Sequence, residues 1–577
     1  MSYKVCIIMG NEMFNLDKRA ENRLTLKIIF IFALVLTGVI VYLNSTHAIL
    51  GHSYRDVYFY LIEALRMSGV NIGGYAYVNY LPPFIPFLTS LLFRLGFVSE
   101  TSIFITTGFF FFIGILGIFK LLRLRFNNFY AFFGSFLYAT LLINIKWVGN
   151  GTLDIPFVAL MIWALYFFIQ GMEKNQKYFY LAFPFGVLSF FTKYTGAIIF
   201  GVMILYFMSR TRIAFNIKKY FKNIFGGVIA GIITSIPFFA YFFLNNIPLG
   251  FINQAQEVSS ESSISSTHAG QLVGNDLFFY FKGLIYDISA NDYVIGVCVL
   301  AIFIIGVILT IYMFGGTFKN SYFKIKDTTS LIYKYPVPAK VFFVFIIISF
   351  IMVILSFFTA SLFSFIYSEL LLFSGMFILA YSMTKVIINY DGVDNVWLST
   401  YPYLAINIAM AGLFLSYLIF FSAHLTKADR YFTSMAPGFV FLVTLVVEIL
   451  LNRIKGIKIK KFNLKYIIPI FIMILMLFAT VDYLDGYSDE GLVINERDAA
   501  SWMVDKDGSI YSDRGPIYTW YLQKEVKYLT NYRDSYLLNQ ELVNNSVDYY
   551  IGMDKVNLTN YVQIKEFGHV TVYQKNY

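Results

Sequence analysis

The sequence predicts a polytopic α-helical membrane protein of about thirteen transmembrane helices, with a small C-terminal extracytoplasmic α/β domain. Three observations carry this. The 577-residue chain is 58% apolar and only 14% charged, with a mean hydropathy of +0.66, whereas soluble proteins average about 25% charged residues. Apolar runs near the ~20 residues that cross ~30 Å of hydrocarbon recur from residue 27 to residue 484. From about 485 onward charges become dense and apolar segments short, which is the composition of water-exposed protein.

The elements follow in order. The arm of residues 1–26 leads through Lys27 directly into a full-length run at 27–45, without the small-residue cleavage site of a secretory signal. Further runs lie at 102–119, 129–145, 153–170, 178–192, 195–209, 223–244, 293–314, 340–358, 364–384, 399–421, 431–451 and 465–484. The pair at 178–192 and 195–209 is short and parted by Lys193 and Tyr194, so it reads either as two spans or as one broken pair. With the N-terminus cytoplasmic, 27 of the 44 Lys and Arg fall on the inner side of the spans and 8 on the outer side. That is the bias of a membrane topology, and an odd number of spans then puts the tail outside. The net charge of +10 is therefore mostly topology, and no folded basic face for nucleic acid is visible.

Two outer segments exceed what a short connection needs, 46–101 and 245–292. The first opens with an amphipathic helical stretch, breaks at NIGGY, and resumes as a short interfacial helix started by Pro82 and Pro83. The second contains the low-complexity stretch EVSSESSISSTHAG, read here as a lid over residues 253–275. The tail, 485–577, reads helix, strand, helix, strand, helix, strand and a terminal hairpin. Cys6 and Cys298 fall at different depths, so no disulfide framework is expected. No repeat and no matching pair of broken spans is visible, which argues against a secondary transporter. Spans nearly free of charge, with Glu448 the main exception, argue against an ion pump.

The polar chemistry gathers on the outer side. Asp56 reads as a helix-cap carboxylate or as a general base near the membrane surface. Asp154, in NGTLDIPF, is a good N-cap and a candidate partner for it. Lys193, between two apolar runs, is a snorkelling anchor or an anion ligand. Arg430 stands on the outer side, against the charge bias, where a lipid or substrate phosphate would explain it. His52 and Asp56, four apart, could share a helix face, but two such residues are a thin basis for a metal site. Arg55, Tyr58 and Tyr431 flank the two carboxylate and arginine positions as candidate substrate contacts, the tyrosines as surfaces for a sugar ring or as interfacial aromatics.

In their order these residues resemble the GT-C superfamily of polytopic glycosyltransferases, in particular the protein O-mannosyltransferases and the lipid A aminoarabinose transferase. The matching features are the outer loop with Asp56 near its start, the Pro82-Pro83 helix and LDIPF opening a span (Asp154, Pro156). SFFTKYTG (Lys193), DRY at a late span (Asp429, Arg430, Tyr431) and an external α/β tail complete the set. Val57 follows Asp56 where the O-mannosyltransferases carry an Asp-Glu pair, so their acceptor class is not implied. The WWDYG signature of oligosaccharyltransferases is absent, and their DxD-type carboxylates are absent from the loops between the spans, so a metal is disfavoured and no cofactor is expected. The resemblance implies an inverting monosaccharide transfer from a polyprenyl- or dolichyl-phosphate donor to an acceptor glycan, lipid or protein at the external face of the bilayer. Asp56 and Asp154 would be catalytic, Lys193 and Arg430 would bind the donor phosphate, and His52, Arg55, Tyr58 and Tyr431 would line the substrate. A lipid-linked sugar flippase is the alternative, which would place polar residues along a route through the spans.

Overall fold

A computed structural model describes residues 18–47, 56–70, 72, 81–211, 217–252, 272–273, 276–289, 292–302, 304–305, 308, 339–359, 365–388, 403–423, 426–453, 458–459, 462–463, 466–486, 492–529, 535–553 and 555–576. Its helices run α1 (Lys18–His47), α2 (Asp56–Ser68), α3 (Phe84–Arg94), α4 (Thr101–Leu122), α5 (Asn128–Thr140), α6 (Leu142–Gly149), α7 (Asp154–Glu173), α8 (Phe179–Thr192), α9 (Ile198–Thr211) and α10 (Ile217–Leu244). They continue as α11 (Phe279–Ser289), α12 (Ala339–Thr359), α13 (Phe365–Ile388), α14 (Leu404–Ala423), α15 (Phe432–Arg453) and α16 (Ile467–Asp485), then α17 (Leu492–Met503), α18 (Gly515–Leu522) and α19 (Ser535–Asn544) in the tail.

Among the described residues nine helices are long and apolar enough to cross a membrane: α1, α4, α7, α10 and α12 to α16. The chain is a multi-pass membrane protein. The expected span at 129–145 is a bent pair, α5 and α6, meeting at 49°. Leu141 leaves the helical region there, with ψ 121°, and the Asn144 side-chain amide donates to the freed Tyr138 carbonyl at 2.7 Å. The expected span at 293–314 begins as a helix over Tyr293–Ile302, turned 115° from α11.

The expected runs at 178–192 and 195–209 are α8 and α9, 14 residues each. They are two separate helices, parted by Lys193 in an extended conformation (φ −154°, ψ 126°) and a 3-10 turn at Tyr194–Ala197. Although short, α8 covers the depth of α7. Its far end brings Lys193 to Asp154, the first residue of α7. With its leading 3-10 turn, Gln176–Tyr178, α8 rises about 27 Å against about 30 Å for α7. Gly196 closes the break, since a Cβ there would stand 2.6–2.7 Å from Ser189 atoms, backbone carbonyl included.

In the largest apolar cluster α4, α5, α7, α14 and α15 meet, and α12, α13 and α14 form a second one beside it. Outside both, α2 and α3 pack on each other, and Pro83 precedes α3 as the sequence predicts. Two short antiparallel strand pairs were not foreseen. β1 (Leu272–Val273) pairs with β2 (Thr426–Lys427), joining the second outer segment to the residues just before Asp429, and β3 (Lys458–Ile459) pairs with β4 (Phe462–Asn463).

The C-terminal residues form the expected α/β unit, a five-stranded sheet ordered β6-β5-β7-β9-β8. β5 (Ile510–Ser512), β6 (Lys527–Tyr528) and β7 (Tyr549–Gly552) are parallel, and the hairpin of β8 (Tyr561–Phe567) and β9 (Val570–Lys575) runs antiparallel beside β7. The unit docks through α18 on α2 and α3. Ile517 and Trp520 join their apolar cluster, Trp520 stacks on Phe93 at 5.8 Å, and its indole N–H donates to Glu100 at 3.1 Å.

Candidate active site

Four charged side chains from distant parts of the chain meet at the start of α2. Asp56 is the first residue of that helix, where unpaired backbone N–H groups favour a carboxylate. Asp154 is the first residue of α7, and Pro156 costs nothing there because the N–H it lacks would be unpaired in a first turn. Lys193 sits in the α8–α9 break, which frees its stem to turn back to α7. Arg430 lies in the 3-10 turn Asp429–Tyr431 that leads into α15.

The geometry is a chain of alternating charge. The Lys193 ammonium lies 2.5 Å from Asp154 Oδ1. One Arg430 nitrogen stands 4.0 Å from Asp154 Oδ2 and 3.7 Å from Asp56 Oδ2. Asp154 is the most enclosed, its side chain 2% exposed, and Asp56 the most open at 36%. A carboxylate as enclosed as Asp154 is tolerated only when paired, and here two cations share that task.

Aromatic rings wall the lysine. Its ammonium lies 4.7 Å from the Tyr431 ring centre, 5.4 Å from Phe157 and 5.6 Å from Phe421, within the range of cation–π attraction. Tyr431 stacks on Phe421 at 4.3 Å, and Arg430 reaches the Tyr431 hydroxyl at 3.4 Å. The Tyr417 hydroxyl donates to the Thr195 carbonyl at 3.1 Å, tying α14 to the break. Beside Arg430, Lys146 of α6 pairs with Asp429 at 2.7 Å.

Of the residues expected at the site, Asp56, Asp154, Lys193, Arg430 and Tyr431 come together. Tyr431 is a wall of the lysine pocket, with one face of its ring on Phe421. Tyr58 is a correction. It is fully buried, and its hydroxyl lies 3.3 Å from that of Tyr521 in the tail. Two positions along a helix turn about 200°, so Tyr58 and Asp56 cannot share a face. His52 and Arg55 lie outside the described residues, as does the expected lid apart from β1. The rest of α2 is held from the other side: Glu63 accepts from the Tyr241 hydroxyl of α10 and lies 3.9 Å from Arg66. Burial pushes the Glu63 carboxyl up, against the pull of Arg66.

Sequence reasoning missed Lys146, Phe157, Phe421 and Tyr417 as neighbours of the cluster. For Lys146 a signal existed, since it is one of the few basic residues expected on the outer side. The three aromatics lie within apolar runs and carry no signal.

Residues 81–241 match the model of the dolichyl-phosphate-mannose-protein mannosyltransferase family. The chain resembles the GT-C glycosyltransferases. The matched stretch runs from the Pro82-Pro83 turn to α10 and contains Asp154 and Lys193. No curated protein matches the chain. Among solved structures the fold is similar to ArnT from Cupriavidus metallidurans bound to undecaprenyl phosphate, at 12% identity and TM-score 0.45, covering 95% of this chain and 97% of that one. It is similar to the same protein in the apo state at 13% identity and TM-score 0.43, covering 90% and 92%. The Archaeoglobus fulgidus oligosaccharyltransferase in complex with zinc and sulfate aligns at 12% identity and TM-score 0.45, covering 91% of this chain and 67% of that one.

Proposed function

We propose that the chain is an inverting glycosyltransferase that moves a monosaccharide from a polyprenyl- or dolichyl-phosphate donor to an acceptor hydroxyl at the external face of the membrane. The observation that carries this reading is the convergence of Asp56, Arg430, Asp154 and Lys193. The four supply the two functions the displacement needs, a base for the incoming oxygen and positive charge for the departing phosphate.

In that step the acceptor oxygen attacks the anomeric carbon opposite the phosphate, whose C–O bond breaks. The hydroxyl proton passes to Asp56, the most open of the four carboxylates and cations at the site, and the phosphate leaves to Lys193 and Arg430. A phosphate leaves without strong acid assistance, so one base and preorganised cations suffice. Attack from the opposite face inverts the anomeric centre, as in other single displacements. Asp154 orients both cations from its enclosed position. Lys193 and Arg430 thus occupy the role that a divalent metal fills at other phosphate sites. The donor's lipid lies in the bilayer, the N-terminus is cytoplasmic and the tail is extracytoplasmic.

The test is transfer of label from a panel of polyprenyl-phosphate monosaccharides to endogenous acceptors, in membranes holding wild type or Asp56→Asn at matched expression. Wild type transfers from one donor, and Asp56→Asn slows that transfer by about 10²–10⁴-fold, the weight of a positioned general base. Folded wild type that transfers from no donor, yet moves labelled donor across liposomes, would replace this reading with the flippase.

A further inference from the structure

We propose that Lys146 is a positioning residue that holds the Asp429 carboxylate away from the Arg430 guanidinium, leaving that guanidinium to Asp56, Asp154 and an incoming lipid phosphate. The inference rests on the reading of Arg430 as a phosphate contact.

Asp429 directly precedes Arg430, so its carboxylate is the nearest anion in sequence to the guanidinium. A planar guanidinium closes readily on a carboxylate through two parallel hydrogen bonds, and it binds phosphate with the same fork. A carboxylate free to make that pair competes directly with a phosphate. Here both Asp429 oxygens are engaged elsewhere. Oδ1 accepts the backbone N–H of Arg430 at 2.7 Å, and Oδ2 takes the Lys146 ammonium at 2.7 Å.

Lys146 is built into place. It projects from α6, whose direction is set by the break at Leu141. Its ammonium lies 5.4 Å from the ring centres of both Trp147 and Tyr286, and its side chain is 19% exposed. Lys146 is thus the cation that occupies Asp429, and without it the cation adjacent to Asp429 in the chain is its own neighbour, Arg430. The Arg430 contacts to Asp56 and Asp154, at 3.7 and 4.0 Å, are longer than the ~2.7–2.9 Å of a closed charge-assisted pair, and a fork closed on Asp429 would displace them.

The experiment measures the affinity of undecaprenyl phosphate for the purified full chain in detergent. Arg430→Gln weakens binding by at least about tenfold, the loss of a hydrogen bond to a charged group. Lys146→Met weakens it by a comparable factor, although Lys146 touches no ligand in this reading. The double variant Lys146→Met with Asp429→Asn returns binding to within about twofold of wild type, because the competitor is gone while an amide oxygen can still accept the Arg430 N–H. Lys146→Gln serves as the second charge-removing variant where Lys146→Met fails to fold, and Lys146→Arg restores binding. Asp429→Asn alone binds within about twofold of wild type, because it removes the competitor, whereas a merely structural ion pair makes Asp429→Asn as weak as Lys146→Met, and that result overturns the proposal. Binding by Lys146→Met equal to wild type, with Arg430→Gln weakened, overturns it while leaving the phosphate reading standing. Binding by Arg430→Gln equal to wild type removes the phosphate reading and this inference with it.

Discussion

Asp154 shows what a single side chain demands of its surroundings. Its carboxylate is 2% exposed and meets Lys193 at 2.5 Å, so Lys193→Met leaves an enclosed charge with only the more distant Arg430. Breaking such a pair from one side costs about 3–5 kcal/mol, whereas removing both charges costs much less. Thermal unfolding in detergent should therefore show Lys193→Met well below wild type and the double variant with Asp154→Asn closer to it. A double variant less stable than Lys193→Met would refute the pairing. Lys427 makes a prediction about pH. It is 5% exposed and caps the end of α14, donating to the carbonyls of Phe421 at 3.1 Å and Ser422 at 2.6 Å. Burial pushes its ammonium down to about 8, with Asp276 opposing, while an unfolded lysine titrates near ~10.4. Between those values the unfolded chain binds more protons, so stability rises with pH across that window and the burial penalty is fully present below about 8. The difference in melting temperature between wild type and Lys427→Met should move in favour of wild type from pH 8 to 10. Parallel curves would show that the lysine is not so shifted.

At the scale of elements, α2 is the piece on which the site and the tail meet. Its first residue faces Arg430, while Tyr58 and Phe59 turn to Tyr521 and Tyr528 of the tail, and Glu63 is held by α10. The anchor of this arrangement is Trp520, stacked on Phe93 and bonded to Glu100, which also lies 3.5 Å from Arg497. Trp520→Ala should cost about 3–5 kcal/mol of docking and packing. Hydrogen exchange should then rise in α2 and α18 while α4 and α7 stay protected; unchanged exchange in α2 would show that the tail does not brace it. Most elements were legible in the sequence because their signals are local. The tail's helices and strands follow from hydrophobic period and turn residues, and the α8–α9 break is marked by a lysine between apolar runs. The break between α5 and α6 was not legible. FLYATLLINIKWVG reads as one apolar run, with neither Gly nor Pro at the bend, and the Asn144 side chain that satisfies it is visible only once the chain is folded. Tyr58 was misplaced for a related reason: its nearness in sequence to Asp56 suggested a substrate contact, and helical rotation turns it to the tail instead.

For the whole molecule, the same distinction separates topology from site. The four charged residues were each visible as oddities against an apolar background, but Asp56 and Arg430 are hundreds of residues apart, and no local pattern states that they meet. The expected side of the membrane, by contrast, rests on composition, through the 27-to-8 distribution of basic residues over the expected spans. The structure bears on the parity of that topology. Among the described residues nine helices are long and apolar enough to cross, or eleven where each bent pair is one span. With the odd number of spans expected from the sequence, the two ends of the membrane unit should face opposite sides. The expected outcome is read with single cysteines in a background carrying Cys6→Ser and Cys298→Ser. Lys565→Cys, exposed on β8 of the tail, should react with a membrane-impermeant maleimide in intact cells, and Lys177→Cys, exposed between α7 and α8, only after lysis. Labelling of both positions in intact cells would break the odd count. Labelling of Lys177→Cys alone would invert the molecule and put Asp56 and its partners on the cytoplasmic face, where the acceptor would have to be a cytoplasmic one.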